Sequence, residues 1–299
     1  MNLLIIYNPQ AGNGRAKTLL AEISDYLTSL KVCFTVKQTK HQSHAVELVK
    51  KANLSKFDAV IASGGDGTLF EVLNGYFKNQ LTDKPPLGLI PNGTGNAFMK
   101  ELNLNKGDWK KAIDNILSGK TSKIDVGKLV TKDETYYFLN IVGLGFVAEV
   151  AKASIPLKWA GNSAYTLATL FKLLSVNSEM MRIEIDGVMQ QRDVVMVEVA
   201  NSRYTGTKFK IAPKAKLNDG LLDLIILNKI TRLKLLKVFH IIYDGSHINY
   251  PEIEYIQAKQ IKVTQKEPGQ LIPDGEILGF SPVEFNCLAG ELEFLIDCN

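Results

Sequence analysis

The chain has 299 residues, of which 45% are hydrophobic and 22% charged, and it carries a formal net charge of +4. That length exceeds the usual single-domain size of about 100 to 150 residues, so two domains are expected, each able to bury a core. The mild basic balance gives no reason to expect a nucleic-acid partner, and Cys33, Cys287 and Cys298, lacking any Cys-x-x-Cys spacing, supply neither a disulfide framework nor a zinc site, which fits a reducing cytosol.

The opening stretch Met1 to Pro9 has no basic leader and breaks its apolar run at Asn8-Pro9, so Leu3 to Tyr7 reads as a first strand rather than a signal peptide. Ala16 to Leu30 follows with Leu19, Leu20, Ile23, Leu27 and Leu30 at helical spacing. The alternation continues through strands at Cys33 to Gln38, Asp58 to Ala62 and Leu87 to Ile90, and helices at His44 to Lys51, Thr68 to Gly75, Asn96 to Leu102 and Trp109 to Ser118. Strands separated by helices of this length predict a doubly wound, mainly parallel sheet.

Past Gly119 the pattern becomes strand-rich, at Lys123 to Val130, Tyr136 to Val142, Met181 to Ile185, Asp193 to Ala200 and Leu221 to Leu227, with helical stretches at Asn162 to Leu174 and Arg232 to Tyr243. This predicts an α/β domain over residues 1–122 and a mainly antiparallel, β-rich domain over 123–299, with roughly the last ten residues returning to the first. No apolar run reaches the roughly 18 residues that span a bilayer, so the protein reads as soluble or peripheral.

Three glycine-bearing loops follow strands of the first domain: Asn8-Pro9-Gln10-Ala11-Gly12-Asn13-Gly14, Gly64-Gly65-Asp66-Gly67-Thr68 and Pro91-Asn92-Gly93-Thr94-Gly95-Asn96. In open α/β sheets ligands bind beyond the carboxyl ends of the strands, where loop amides and helix amino termini favour an anion. Each loop alone reads as a structural turn before it reads as a phosphate cradle, and Thr68 and Thr94 suit helix capping as well as phosphate contact. Three on one sheet edge favour a phosphate site. Asp66 would repel such a ligand unless a cation such as magnesium stood between them, and its simpler role is an Asx turn with Thr68. The loop matches neither the GxxxxGK[ST] nor the GxGxxG pattern.

The string Gly64-Gly65-Asp66-Gly67-Thr68 with Glu71 and Asn74-Gly75, followed by Gly93-Thr94-Gly95-Asn96, resembles the diacylglycerol kinase catalytic domain family, which includes bacterial diacylglycerol kinases and sphingosine kinases. Ile124-Asp125-Val126-Gly127, Asn140 with Gly143-Leu144-Gly145-Phe146, Leu217-Asn218-Asp219-Gly220 and Asp274-Gly275-Glu276 extend the resemblance over nearly the whole chain. It implies an NAD kinase/diacylglycerol kinase-like fold with a nucleotide domain, a lipid domain and a cleft between them for ATP. It further implies that Asn8, Pro9, Gln10, Ala11, Gly12, Thr39, Gly65, Asp66, Gly67, Thr68, Leu69, Phe70, Glu71 and Thr94 lie along the nucleotide, with Asp66 acting through magnesium. Asp219 and the carbonyls of Lys216 and Leu221 would hold a structural magnesium, and Glu276 would be the general base toward a lipid hydroxyl.

Ala97 stands where many bacterial diacylglycerol kinases have aspartate and sphingosine kinases often have alanine, which leaves diacylglycerol and a sphingoid base both open as the acceptor. Asp125 is a candidate to compensate. An NAD kinase shares the GGDGT loop, but neither the Asn-Glu pair nor the Thr-Gly-Ser-Thr-Ala run of those enzymes occurs in the second half. An inactive lipid-binding regulator would be signalled by loss of Asp66, Asp219 or Glu276, all present. The expected setting is cytoplasmic with transient contact at the membrane surface, and a homodimer is compatible with the family. Ile155 to Trp159 and Arg232 to Phe239 mix lysine with bulky apolar groups and suit a bilayer interface, although a core helix with a basic outer face gives the same pattern.

Overall fold

The computed structural model describes residues 1–154, 156, 164–173, 175–206 and 209–296. Residues divide into one unit formed by Met1–Ile124 with Gly290–Asn299 and another formed by Asp125–Ala289.

In the first unit, strands β1 (Asn2–Tyr7), β2 (Cys33–Gln38), β3 (Ala59–Gly64) and β4 (Leu87–Pro91) pair in parallel in the order β2-β1-β3-β4. β3 is buried along its whole length and β1 from Leu3 onward, as an apolar run covered on both sheet faces requires, while β2 alternates exposure at the edge. Helices α1 (Ala16–Ser29), α2 (His44–Lys50), α3 (Asp66–Phe77) and α4 (Trp109–Leu117) surround it, and Ile23, Leu27, Ile113 and Ile116 join Ile5, Ile61 and Leu295 in one core. The helix expected over Asn96 to Leu102 is a single 3-10 turn at Phe98–Lys100, followed by Asn103 in a left-handed conformation that no regular helix accepts.

In the second unit, β7 (Ile141–Gly145), β8 (Glu179–Ile185), β9 (Val188–Ala200), β10 (Leu222–Asn228), β11 (Ile253–Ala258), β12 (Gln260–Gln265) and β13 (Ile272–Pro273) pair antiparallel. β5 (Ser122–Val130) pairs antiparallel with β6 (Thr135–Phe138), and β14 (Val283–Phe294) pairs with β12 near its start. The strand expected over Tyr136 to Val142 is broken into β6 and β7, because the Leu139, Asn140 and Ile141 amides turn toward the Asp274 carboxylate. Helices α5 (Phe146–Ser154), α6 (Ala164–Leu173) and α7 (Arg232–Ile241) contribute Val150, Ala168, Leu235 and Val238 to a core with Met196 and Leu227 of the sheet. Cys298 and all of Ile155 to Trp159 except Pro156 lie outside the described residues.

Candidate active site

The three glycine loops leave the carboxyl ends of β1, β3 and β4, which are neighbours in the parallel sheet. Their glycines serve close contact between loops. A Cβ on Gly93 would lie 2.4 Å from the Gly65 Cα, and one on Gly65 would lie 2.8 Å from the Gly95 carbonyl oxygen. Gly12, at a left-handed φ of +63°, brings the first loop equally close to the Asn92 carbonyl. The second and third loops are also bonded directly, since the Asn92 and Gly93 amides donate to the Gly64 carbonyl at 3.0 and 3.1 Å.

Asp66 opens α3, and its carboxylate accepts from the Ala97 amide through both oxygens at 2.8 Å and from the Phe98 amide at 3.3 Å. It therefore caps the turn that follows the third loop. Thr68 does not cap its own helix; its hydroxyl accepts from the Asn8 side-chain amide at 3.1 Å and ties the second loop to the first. The Asn8 Oδ1 accepts from the Gln10 amide at 2.9 Å, and the Asn8 carbonyl accepts from the Ala11 amide, which shapes the Asn8-Pro9-Gln10-Ala11 turn. The Gly67 and Thr68 amides in the first turn of α3 have no partner among the described residues, so they and the helix dipole remain for an anion.

Other expected contacts are placed differently. Leu69 and Phe70 are buried in the core, at 1% and 4% exposure, so only their backbone stands near the loop. The Glu71 carboxylate accepts from the Ser43 and Ala45 amides at 2.7 and 3.0 Å, capping α2, and burial raises its pKa despite those bonds. Thr39 follows β2, its amide donating to the Tyr7 carbonyl at 2.8 Å, and Thr94 lies half-buried in the third loop.

In the second unit, Asp274 and Gly275 hold left-handed backbone conformations in the turn after β13. The Asp274 carboxylate accepts from the Asn140 and Ile141 amides at 3.1 Å each and from the Leu139 amide at 3.4 Å. This fastens the turn that presents the half-buried Glu276, whose own amide donates to the Pro273 carbonyl at 2.9 Å. Asn140, next to it, accepts from the Ser202 hydroxyl at 3.1 Å, and its side-chain amide nitrogen is buried without a partner among the described residues.

The segment Lys216 to Leu221 is a loop before β10 in which Lys216, Asn218 and Asp219 are exposed and Leu217 is buried. Asp219 accepts from the Leu221 amide and from the Gln257 side chain, both at 3.2 Å. Asp125, buried at 1% exposure, accepts from the Gly220 amide at 2.7 Å, and its own amide donates to the Leu217 carbonyl at 2.6 Å. Asp125 thus braces this loop. Asp223, fully buried on β10 opposite Gln257, faces the Tyr255 and Gln257 side chains, and burial above all, with Asp219 nearby, pushes its pKa up to about 6 although those two side chains pull it down. Among the described residues no three His, Cys, Asp or Glu side chains converge as a metal cluster, so any cation here would depend on backbone carbonyls as well.

Residues 2–129 match the family described as diacylglycerol kinase catalytic domain, and residues 140–296 match the YegS C-terminal NAD kinase beta sandwich-like domain. The chain is 35% identical to a diacylglycerol kinase of Bacillus subtilis (strain 168), over 94% of this chain and 91% of that one. The chain belongs to the diacylglycerol kinase family. It is 31% identical to the diacylglycerol kinase of Staphylococcus carnosus (strain TM300), over 97% of this chain and 93% of that one. A solved structure of a candidate diacylglycerol kinase from Bacillus anthracis str. Sterne superposes with a TM-score of 0.83 at 26% identity, covering 99% of this chain and 95% of that one. An NAD kinase from Archaeoglobus fulgidus, solved in complex with ATP, shares the fold at a TM-score of 0.52 and 12% identity, over 98% and 92% of the two chains.

The chain is therefore a phosphotransferase of this kinase family. Two buried acids escaped the sequence reading, Asp223 and Glu198, because each sits inside an apolar strand run that reads as ordinary core. An acid interrupting such a run was the available signal.

Proposed function

We propose that this kinase transfers the γ-phosphate of ATP to the free hydroxyl of diacylglycerol. The observation that carries this reading is the joining of the second and third loops through Asp66, Gly65 and Gly93 beside the two unpartnered amides of α3. Amides and a helix amino terminus at the carboxyl edge of a parallel sheet suit a polyphosphate. Asn8 to Gly12, Thr39, Gly65 to Glu71 and Thr94 are then the nucleotide segment, with Leu69, Phe70 and Glu71 shaping it from beneath rather than by side-chain contact.

Glu276 is the proposed general base. As the lipid oxygen forms its bond to the γ-phosphorus, the bond from that phosphorus to the β,γ-bridging oxygen breaks, ADP leaves and the hydroxyl proton passes to the Glu276 carboxylate. Magnesium fits the oxygen-only donors available. Asp66 offers a carboxylate beside the glycine loops, and Asp219 with the Lys216 and Leu221 carbonyls lies near the buried Asp223 carboxylate, whose pKa Asp219 helps to raise. When bound, the ion neutralises phosphate charge or, at the second place, stiffens the loop before β10.

Among the described residues no helix is long and apolar enough to cross a membrane. The reading includes transient bilayer contact through α7, whose Leu235 and Val238 are buried while Leu233 and Leu236 are 78% and 46% exposed between Arg232, Lys234 and Lys237. The test is mass spectrometry of a total lipid extract after incubation with ATP and magnesium. Phosphatidic acid as the main product is expected. A phosphorylated long-chain base would reassign the acceptor, and phosphorylation of NAD with no lipid product would overturn the reading.

A further inference from the structure

The turn after β2 carries a pair of rings that neither the glycine loops nor the Glu276 turn uses. The imidazoles of His41 and His44 stack with centroids 4.7 Å apart and planes 27° apart, within the spacing of offset aromatic pairs. His41 is exposed and His44 half-buried, so solvent reaches the pair through His41.

The pair is assembled by its turn. The His44 amide donates to the His41 carbonyl at 3.3 Å and closes a four-residue turn whose third member, Ser43, holds φ 65° and ψ 0°. A turn that needs positive φ at this place normally takes glycine. Serine keeps it here because the Glu71 carboxylate accepts from the Ser43 and Ala45 amides at 2.7 and 3.0 Å. Each ring is also fixed by one nitrogen. The His44 Nδ1 accepts from the Lys40 amide at 3.0 Å, and the His41 Nδ1 donates at 2.8 Å to the Gln42 carbonyl, which can only accept. A strained residue persists where its surroundings over-determine it, and such residues cluster at ligand sites.

Its place suits one end of a nucleotide. Glu71, which grips the turn, lies one helical turn beyond the Gly67 and Thr68 amides of α3 that remain for phosphate. The Thr39 amide donates to the carbonyl of Tyr7, the residue before the Asn8 loop, so the chain leaving β2 is tied to the first glycine loop. β1 separates β2 from β3, which sets the carboxyl ends of β2 and β3 two strand spacings, about 10 Å, apart. Toward β4 the third loop already lies against the second, a Cβ on Gly93 falling 2.4 Å from the Gly65 Cα. The sugar and base of a nucleotide whose phosphates sit at α3 therefore have the β2 side open to them.

The chemistry narrows the ligand. Glu47 of α2 interacts electrostatically with both rings and Glu71 with His41, so an anion is disfavoured. Among the described residues no three metal-ligating side chains converge here. An uncharged aromatic ring, which gains by stacking and brings no charge, remains.

We propose that His41, backed by His44, is the platform on which the adenine of ATP stacks. The assignment rests on the kinase reading and adds a residue that recognises the base, outside the glycine loops.

The test is calorimetric titration with ATP and with inorganic triphosphate, which lacks the base, in the presence of magnesium and without lipid. Wild type should bind ATP more tightly than triphosphate. His41→Ala should weaken ATP by roughly fivefold to a hundredfold, the range of one base stacked on an aromatic ring, and leave triphosphate binding and melting temperature unchanged. His41→Phe, which keeps a ring and loses both nitrogens, should retain wild-type ATP affinity. Unchanged ATP affinity in His41→Ala overturns the proposal, as does an equal loss for triphosphate, which would mean a disturbed loop. A loss in His41→Phe as large as in His41→Ala would mean that a ring nitrogen, not stacking, makes the contact, and also overturns it. The kinase reading fails separately. His41-dependent ATP binding with no lipid phosphorylated keeps the platform and removes the lipid acceptor, lipid turnover with His41-independent ATP binding does the reverse, and absence of ATP binding by wild type removes both.

Discussion

Asp66 holds Ala97: both carboxylate oxygens accept the Ala97 amide at 2.8 Å, across 31 residues of sequence. The acid expected to act on phosphates through magnesium is thus also the cap that fixes the third loop beside the second. Asp66→Ala should therefore lower the melting temperature as well as abolish phosphoryl transfer, because the Ala97 and Phe98 amides lose a charged acceptor, at about 1 to 3 kcal/mol. Asp66→Asn, which keeps one oxygen acceptor, should melt closer to wild type yet remain inactive. Calorimetry and ATP turnover on the same samples check both. Wild-type turnover in either variant removes Asp66 from the chemistry.

Glu276 and Asp274 should separate chemistry from positioning. Glu276→Gln keeps size and loses basicity, so kcat should fall by roughly 10² to 10⁴ with an unchanged melting temperature and ATP affinity. Asp274→Ala frees three amides at the break between β6 and β7, so it should lose both stability and kcat. If Glu276→Gln keeps most of its turnover in detergent micelles, the base is another group.

Removal of magnesium tests the loop before β10. A cation bound only by the native state stabilises by mass action, so magnesium should raise the melting temperature of wild type more than that of Asp219→Ala. Equal shifts in the two proteins would exclude Asp219 as a ligand.

Glu198 gives a pH dependence of definite sign. Its pKa is raised from 4.5 to about 8, so the native state keeps a proton that the unfolded chain releases. That stability is fully present below pH 4.5 and is lost as pH rises to about 8. The melting temperature of wild type should therefore fall more steeply between pH 5 and 8 than that of Glu198→Leu, and parallel curves would contradict the neutral buried acid.

The first unit was legible in the sequence because its strands are continuous apolar runs and its loops are marked by glycine. The purpose of those glycines was less so: spacing does not reveal that Gly65 and Gly93 touch, nor that the Glu71 carboxylate accepts from the Ser43 and Ala45 amides. In the second unit β11 to β14 are mixed in polarity and went unread, and the break between β6 and β7 depends on Asp274, more than a hundred residues away. Long-range polar capture of backbone amides leaves no local periodic trace.

Phe294 at the end of β14 runs parallel to Leu87 of β4, the Leu295 amide donates to the Leu87 carbonyl at 2.8 Å, and Phe294 stacks edgewise on Phe98. The amino-terminal sheet is thus finished by residues translated after the whole second unit. On the ribosome, β4 emerges early and must wait with that side uncovered until synthesis has passed residue 294, a vulnerable interval for an apolar strand. Completion of the first unit therefore waits until residue 294 has been translated, and nascent chains stalled within the second unit would present the β4 edge to chaperones.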